Sequence, residues 1–361
     1  MCRAGTPVLI KILRRVNHLP ESLFLKGVEL VRPDPVSGGG FADVFLGRHR
    51  GELVALKRLR LFQSKTDAES VRIVQRKLQR FQKEALVWQC VQHPNVLPLL
   101  GMDTEVFSAQ YMCMISPWMK NRDITSYMKQ VVLFGKDCDR LLLEVVEGLA
   151  FLHEQNIVHG DLRGGNIIIS SNGHALLSDF GLADVTETTL VASTTTQRSG
   201  STRWMAPELH APERYGLRFR RTKATDIYAY ACVSVEVYTG RMPFFGHGDV
   251  EAILKTLDGL RPDRPTFRDG GREMSDEHWT LVNLCWQEHP SQRPSAAQVV
   301  AAMSALVLGR DGAEGAPPPE ATENEGVLVD IDDLEPEEPS YHMSILDGSA
   351  QDRNEERSET G

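Results

Sequence analysis

Short apolar runs broken by turn residues dominate the start of the chain, and a longer, helical period takes over further on. Residues 25–59 read as strands and turns: Val44-Phe45-Leu46 runs into Gly47, Arg50-Gly51-Glu52 reverses the chain, and Leu53-Val54-Ala55-Leu56-Lys57 follows. Runs of this kind, bounded by turn residues, predict antiparallel strands. Between Val71 and Trp88 the apolar positions Val71, Val74, Leu78, Phe81, Ala85 and Trp88 recur at spacings of 3, 4, 3, 4 and 3. That places them on one face of an amphipathic helix ending before His93-Pro94. After Pro117 the pattern is mainly helical. Leu141, Leu142, Val145, Leu149 and Leu152 mark one helix, and residues 227–238 are almost wholly apolar, as a helix buried on all sides requires. The pattern predicts an α+β chain, with a small strand-rich part joined near residues 116–119 to a larger helical part.

The composition, 41% hydrophobic and 25% charged over 361 residues, is that of an ordinary soluble globular protein and does not fit collagen-like, wholly disordered or membrane-embedded classes. Val8-Leu9-Ile10 is broken by Lys11 and followed by Arg14-Arg15, so neither a signal peptide nor a membrane span is expected, and the chain is placed in the cytoplasm or nucleus. Cys2, Cys90, Cys113, Cys138, Cys232 and Cys285 form no C-x-x-C pair, which predicts reduced thiols and no structural zinc. Charge is uneven. Residues 309–361 hold sixteen Asp/Glu against three Arg, a balance of −13, so a chain of net −9 leaves +4 on its first 308 residues. The acidic stretch, with Pro317-Pro318-Pro319 and Asp330-Ile331-Asp332-Asp333, has too few apolar residues to offset the entropy of ordering and reads as a disordered tail. A body at +4 lacks the clustered Lys/Arg of a nucleic-acid face, so no nucleic-acid partner is expected.

The chemistry concentrates in three places. His159-Gly160-Asp161-Leu162-Arg163-Gly164-Gly165-Asn166 holds an aspartate and an asparagine five positions apart, just after a helix. A carboxylate there can orient a hydroxyl nucleophile while the amide oxygen ligates a hard cation; the same residues also suit a plain turn. Thirteen residues after Asn166, Ser178-Asp179-Phe180-Gly181 offers a second acidic ligand before a glycine that can turn the chain sharply, although a bare D-F-G also fits an ordinary loop. Ser37-Gly38-Gly39-Gly40-Phe41-Ala42-Asp43-Val44 lies ahead of Lys57 on the next predicted strand. The backbone amides of Gly38, Gly39, Gly40 and Phe41 could cover phosphates while the ammonium pairs with them; alone, these glycines also fit a flexible hairpin.

Taken in order, the glycine loop, Val54-Ala55-Leu56-Lys57, a helix glutamate, His159 to Asn166, Asp179-Phe180-Gly181 and Ala206-Pro207-Glu208 resemble the eukaryotic protein kinase family. The resemblance covers residues 25–308, and Trp286 and Arg293-Pro294 match the family's later helices. It implies a bilobal protein kinase-like fold: a small antiparallel β-rich N-lobe at 25–115, a hinge at 116–119 and a larger, mainly helical C-lobe at 120–308. An extension would precede it at 1–24, the acidic tail would follow at 309–361, and ATP and Mg2+ would lie in the cleft.

Carried over residue by residue, the resemblance implies that Lys57 pairs with the phosphates and with Glu84, for which a surface contact with Arg80 one turn earlier is the alternative. Asp161 would accept or orient the proton of the substrate hydroxyl, and Asn166 and Asp179 would hold the magnesium. The backbone of Ser116, Trp118 and Met119 would hydrogen-bond adenine, with Val44, Ala55 and Ile168 against its ring. Asp123 suits either a ribose contact or a helix N-cap. Glu208 would pair with Arg293, His159 would pack with Phe180 and Trp88, and Asp226 would either brace the catalytic loop or cap its own helix.

Departures from the pattern carry their own expectations. Ser37 and Ala42 replace the first and third loop glycines, which weakens phosphate contact without abolishing it. Gly160 stands where many members carry arginine, as in those called non-RD kinases, so the cation for an activation-segment phosphate is missing. Activity is therefore expected to depend little on Thr194, Thr195, Thr196 and Ser199, with only Arg198 or Arg203 nearby to hold a phosphate. Arg163 replaces the lysine usual in serine/threonine kinases, as in some tyrosine kinases. Gly200-Ser201-Thr202-Arg203-Trp204-Met205 instead resembles the tyrosine-kinase-like group of serine/threonine kinases, of a kind abundant in fungi, in which the Ser201 hydroxyl would bond Asp161 and the basic side chain beside it. The implied activity is phosphorylation of serine or threonine on protein substrates in intracellular signalling. Tyrosine or dual specificity, a pseudokinase scaffold and a small-molecule phosphotransferase stand as alternatives.

Overall fold

The apolar run leading into Lys57 forms the centre of an antiparallel sheet. The computed structural model describes residues 19–38, 42–59, 68–107, 111–180, 201–267 and 272–311. Its first sheet contains β1 (Val28–Leu30), β2 (Ser37–Gly38), β3 (Ala42–His49), β4 (Glu52–Leu59), β5 (Gly101–Asp103) and β6 (Cys113–Pro117), in the order β1-β3-β4-β6-β5 with β2 on β3. The turn at Arg50-Gly51 pairs β3 with β4 so that Val44 faces Lys57. Val28, Phe45, Val54, Leu56, Cys113 and Ile115 fill one side of the sheet. Met102 and Met114 belong to the larger core, to which α1 (Ala68–Gln89) contributes Phe81, Ala85 and Trp88 of the periodic stripe.

The helical part comprises α2 (Ile124–Gln130), α3 (Gly135–Glu154), α4 (Pro207–His210), α5 (Lys223–Thr239), α6 (Asp249–Leu257), α7 (Asp276–Cys285) and α8 (Ala296–Asp311), with a two-stranded ladder of β7 (Ile167–Ile169) and β8 (Ala175–Leu177). The apolar run becomes α5. Thr222 and Thr225 exchange capping bonds at its start, and Gly240 ends it in the left-handed region at φ 69°. Its side chains from Ile227 to Tyr238 are buried. No helix among the described residues is long and apolar enough to cross a membrane.

Two expected boundaries shift. Within the stretch assigned to a leading extension, Leu23 is buried and Phe24 bridges to Met102, and directly after it the Leu25 amide donates to the Met102 carbonyl at 2.8 Å; Leu23 and Phe24 thus pack with the residues that follow. At the other end α8 runs to Asp311, past the assigned start of the tail. Residues 1–18, most of the acidic tail, Gly39, Gly40, Phe41, Gly181 and the hydroxyls between 186 and 199 lie outside the described residues.

One buried ion pair ties α4 to the end of the domain. The Arg293 guanidinium donates to both Glu208 oxygens, at 2.6 and 2.8 Å, and also to the carbonyls of Ala224, Gln287 and Glu288. Removing one member orphans a buried charge. Arg293→Met is expected to destabilise the chain by about 3–5 kcal/mol in urea unfolding, with the double variant carrying Glu208→Leu recovering most of that loss; equal losses in both variants would mean that packing dominates.

Candidate active site

Three chain segments converge on Lys57. From β4 its ammonium reaches Glu84 Oε1 on α1 at 3.2 Å and Asp179 Oδ1 after β8 at 2.6 Å. Burial alone would lower the lysine's pKa, but the two carboxylates outweigh it and raise it, so the group stays charged. Burial pushes the Glu84 carboxyl up, and Lys57 opposes the shift. For Asp179 the attraction of Lys57 overcomes burial and holds the carboxyl down. The Asp179 side chain is 37% exposed. Asp179 itself has φ 57°, a left-handed conformation that costs an ordinary side chain energy and is held here by its surroundings. Next to it Phe180 is buried edge-on between Trp88 and His159, with ring centroids at 6.0 and 6.4 Å.

The loop from His159 to Asn166 is held from below by carboxylates of α5. Asp226 accepts from the backbone amides of His159 and Gly160, both at 2.8 Å, and from His153 Nε2 at 2.9 Å. It therefore braces the loop, while Thr222 caps the helix. Gly160 lies at φ 77°, where glycine is free of the strain any side chain would carry. Glu236 accepts from the Gly164 amide at 2.9 Å and from Trp204 Nε1 at 2.8 Å. A Cβ at Gly164 would come within 2.7 Å of Glu236 Oε1 and 2.5 Å of Thr125 Cγ2, so this approach requires glycine. On the upper side Asn166 Nδ2 donates to the Asp161 carbonyl at 2.7 Å and to its Oδ2 at 3.1 Å. Its Oδ1 accepts no hydrogen bond among the described residues. His159 is fully buried, and burial lowers its pKa; its Nδ1 accepts from the Asp161 amide at 3.3 Å, so it is a neutral packed ring.

The remaining predicted residues sort by neighbourhood. Arg163 Nε lies 3.7 Å from Asp161 Oδ2. Ser201 lines a small cavity with Gly160, Asp161 and Asp226, but makes no side-chain hydrogen bond to Asp161. Ala55 pairs with Ser116 across β4 and β6, and Ile168 bridges to Asp123. Val44, Ala55 and Ile168 are each half-buried beside fully buried neighbours on their strands. Gly38 pairs with Asp43. At the hinge, the Trp118 amide donates to the Leu53 carbonyl at 3.1 Å, so that N–H is taken, whereas Met119 N–H carries no such bond among the described residues. Asp123 caps α2: it accepts from Ser126 N at 3.0 Å, from Ser126 Oγ at 2.7 Å and from the Thr125 hydroxyl. Burial pushes its carboxyl up, but these bonds prevail and hold it down.

Three comparisons bear on this arrangement. A family model described as the protein kinase domain matches residues 34–303. The chain is 28% identical over 276 residues to the serine/threonine-protein kinase STY17 of Arabidopsis thaliana, covering 75% of this chain and 44% of that protein. It is 27% identical over 290 residues to mitogen-activated protein kinase kinase kinase A of Dictyostelium discoideum, covering 79% of this chain and 29% of that protein. The chain thus spans less than half the length of these curated relatives.

Sequence reasoning passed over Glu236, although a lone glutamate inside an apolar run was a visible signal. Burial lifts its carboxyl to about 7, against an ordinary 4.5, in spite of its two donors. The folded chain therefore keeps this proton to higher pH than the unfolded chain does, and between about 4.5 and 7 stability falls as pH rises. Glu236→Gln removes that slope. Between about pH 5 and pH 7 the wild type is expected to lose roughly 2 kcal/mol more than the variant in urea titrations; parallel losses would contradict the assignment.

Proposed function

The chain belongs to the protein kinase domain family, and on that premise we propose that it transfers the γ-phosphate of ATP to serine or threonine hydroxyls of protein substrates. The observation that carries this reading is the ammonium of Lys57 held between Glu84 and Asp179, beside a loop that presents Asp161 and Asn166 together. Lys57 binds the nucleotide's phosphates, and Glu84 keeps the ammonium aimed at them. Asp161 accepts a hydrogen bond from the substrate hydroxyl and takes its proton as the oxygen attacks the γ-phosphorus. The bond to the bridging oxygen breaks and ADP leaves. Arg163 adds positive charge next to Asp161, and Ser201 borders the cavity beneath it. Ala55, Val44 and Ile168 pack against adenine, while the Met119 amide and the carbonyls of the hinge meet its edge.

The donor set also fits a divalent cation. Asn166 spends its Nδ2 on Asp161, which leaves Oδ1 for a ligand, and the Asp179 carboxylate is partly open. All-oxygen donors suit Mg2+, which when bound would neutralise charge on the phosphoryl oxygens. The name of the Arabidopsis relative favours serine/threonine over tyrosine, and the assembled charge cluster favours an enzyme over a scaffold. The free thiols of Cys90, Cys113, Cys232 and Cys285 suit the cytoplasm or nucleus.

Asp179→Asn and Lys57→Met are each expected to lower protein phosphorylation at saturating Mg-ATP by about 10²-fold or more, while the asparagine variant should still unfold in a single cooperative transition. Activity within a few fold of wild type in either variant would sink the assigned roles.

A further inference from the structure

Three arginines of the helical lobe are buried to a similar depth, and they differ in what they bind. Arg293, 7% exposed, is saturated by Glu208 and three carbonyls. Arg203, 9% exposed, donates to Asp249 at 2.8 Å and to the carbonyls of Pro243, Phe244 and His247. That engagement removes it from the role of phosphate partner considered from the sequence. Arg221, 6% exposed, makes no hydrogen bond or ion pair among the described residues, and its Nε is buried without a partner. A buried guanidinium left unpaired is costly, and the other two buried arginines avoid that state.

Arg221 also stands in a particular place. It lies just before Thr222, the cap of α5, and five residues ahead of the Asp226 carboxylate that holds the amides of His159 and Gly160. Asp161 and Asp226 are the acidic groups whose fields reach it, but neither pairs with it; burial pulls its pKa down and these two carboxylates oppose the shift. Of its three nitrogens Nε is the one buried without a partner, which leaves the terminal fork for an anion. A guanidinium fork matches a phosphate bidentately. The proposed activity itself makes phosphate monoesters, and residues 181–200 of the same chain carry eight serine and threonine hydroxyls.

We propose that Arg221 is a phosphate-monoester receptor beside the catalytic loop, supplying from the α5 side the cation that Gly160 does not. The inference rests on the kinase reading for the origin of the phosphate, but not for the existence of the site. It reverses the expectation, drawn from Gly160 alone, that phosphorylation has no cation to act through.

The test is thermal unfolding of the full chain in inorganic phosphate against chloride at equal ionic strength, before and after incubation with Mg-ATP. Phosphate is expected to raise the wild-type Tm by about 2–4 °C. Arg221→Met, relieved of an unpaired buried charge, should melt higher than wild type in chloride and show no phosphate response. Arg221→Lys, which keeps the charge but not the fork, should respond less than half as much and serves if the methionine variant does not fold. If the chain's own phosphorylated residues fill the site, Mg-ATP treatment abolishes the wild-type response to added phosphate. A response that survives treatment assigns the site to free phosphate. No response in wild type, or an equal one in Arg221→Met, overturns the proposal. Label incorporation from ATP is scored separately, so a chain that binds phosphate but incorporates none counts against the kinase reading alone.

Discussion

The organisation of this protein turns on one ammonium group. Lys57 comes from the β-rich lobe, and its two carboxylate partners come from α1 and from the end of β8. Burial alone would discharge the lysine. The carboxylates reverse that, and Asp179 in turn stays ionised because the lysine is there. The charged state of each group thus depends on the position of the others, and the cleft is set only when α1 and the Asp179 turn are both in place. The stacking of Trp88, Phe180 and His159 provides the apolar counterpart, since the same turn that delivers Asp179 buries Phe180 against α1 and the catalytic loop.

Below the cleft, α5 works as a polar platform inside an apolar core. A helix buried on every side has no water to satisfy carboxylates, so each acidic group it carries must find donors. Asp226 and Glu236 find them in the backbone of the loop they support. The geometry of Asp161 and Asn166 is therefore fixed by these bonds to the main chain together with the bonds from Asn166 Nδ2 to Asp161. Arg221 belongs to the same platform, and among its buried arginines it is the one whose partner is not a protein group in the described structure.

Much of this was legible in the sequence where a local rule applied. The period of Phe81, Ala85 and Trp88 predicted the helix and its buried face, and the apolar run predicted the burial of α5. The spacing of Asp161, Asn166 and Asp179 marked the candidate chemistry. Features set by tertiary contact were not legible. Leu23 lies in a short stretch without periodicity, and its burial depends on β5. Asp123 suited a cap or a ribose contact equally well until Thr125 and Ser126 were seen to occupy its oxygens. Gly160 suggested a missing cation because sequence order cannot show that Arg221, sixty-one positions later, comes back beside the same loop.

The most direct measurement of the central claim is the fate of the γ-phosphate. The full chain is incubated with Mg-ATP labelled at the γ-position and a generic basic protein, and the labelled protein is hydrolysed to its amino acids. The charge cluster around Lys57 and the hydroxyl-orienting role proposed for Asp161 predict label on phosphoserine and phosphothreonine. Label confined to inorganic phosphate, to tyrosine or to a small amino-alcohol would contradict the account.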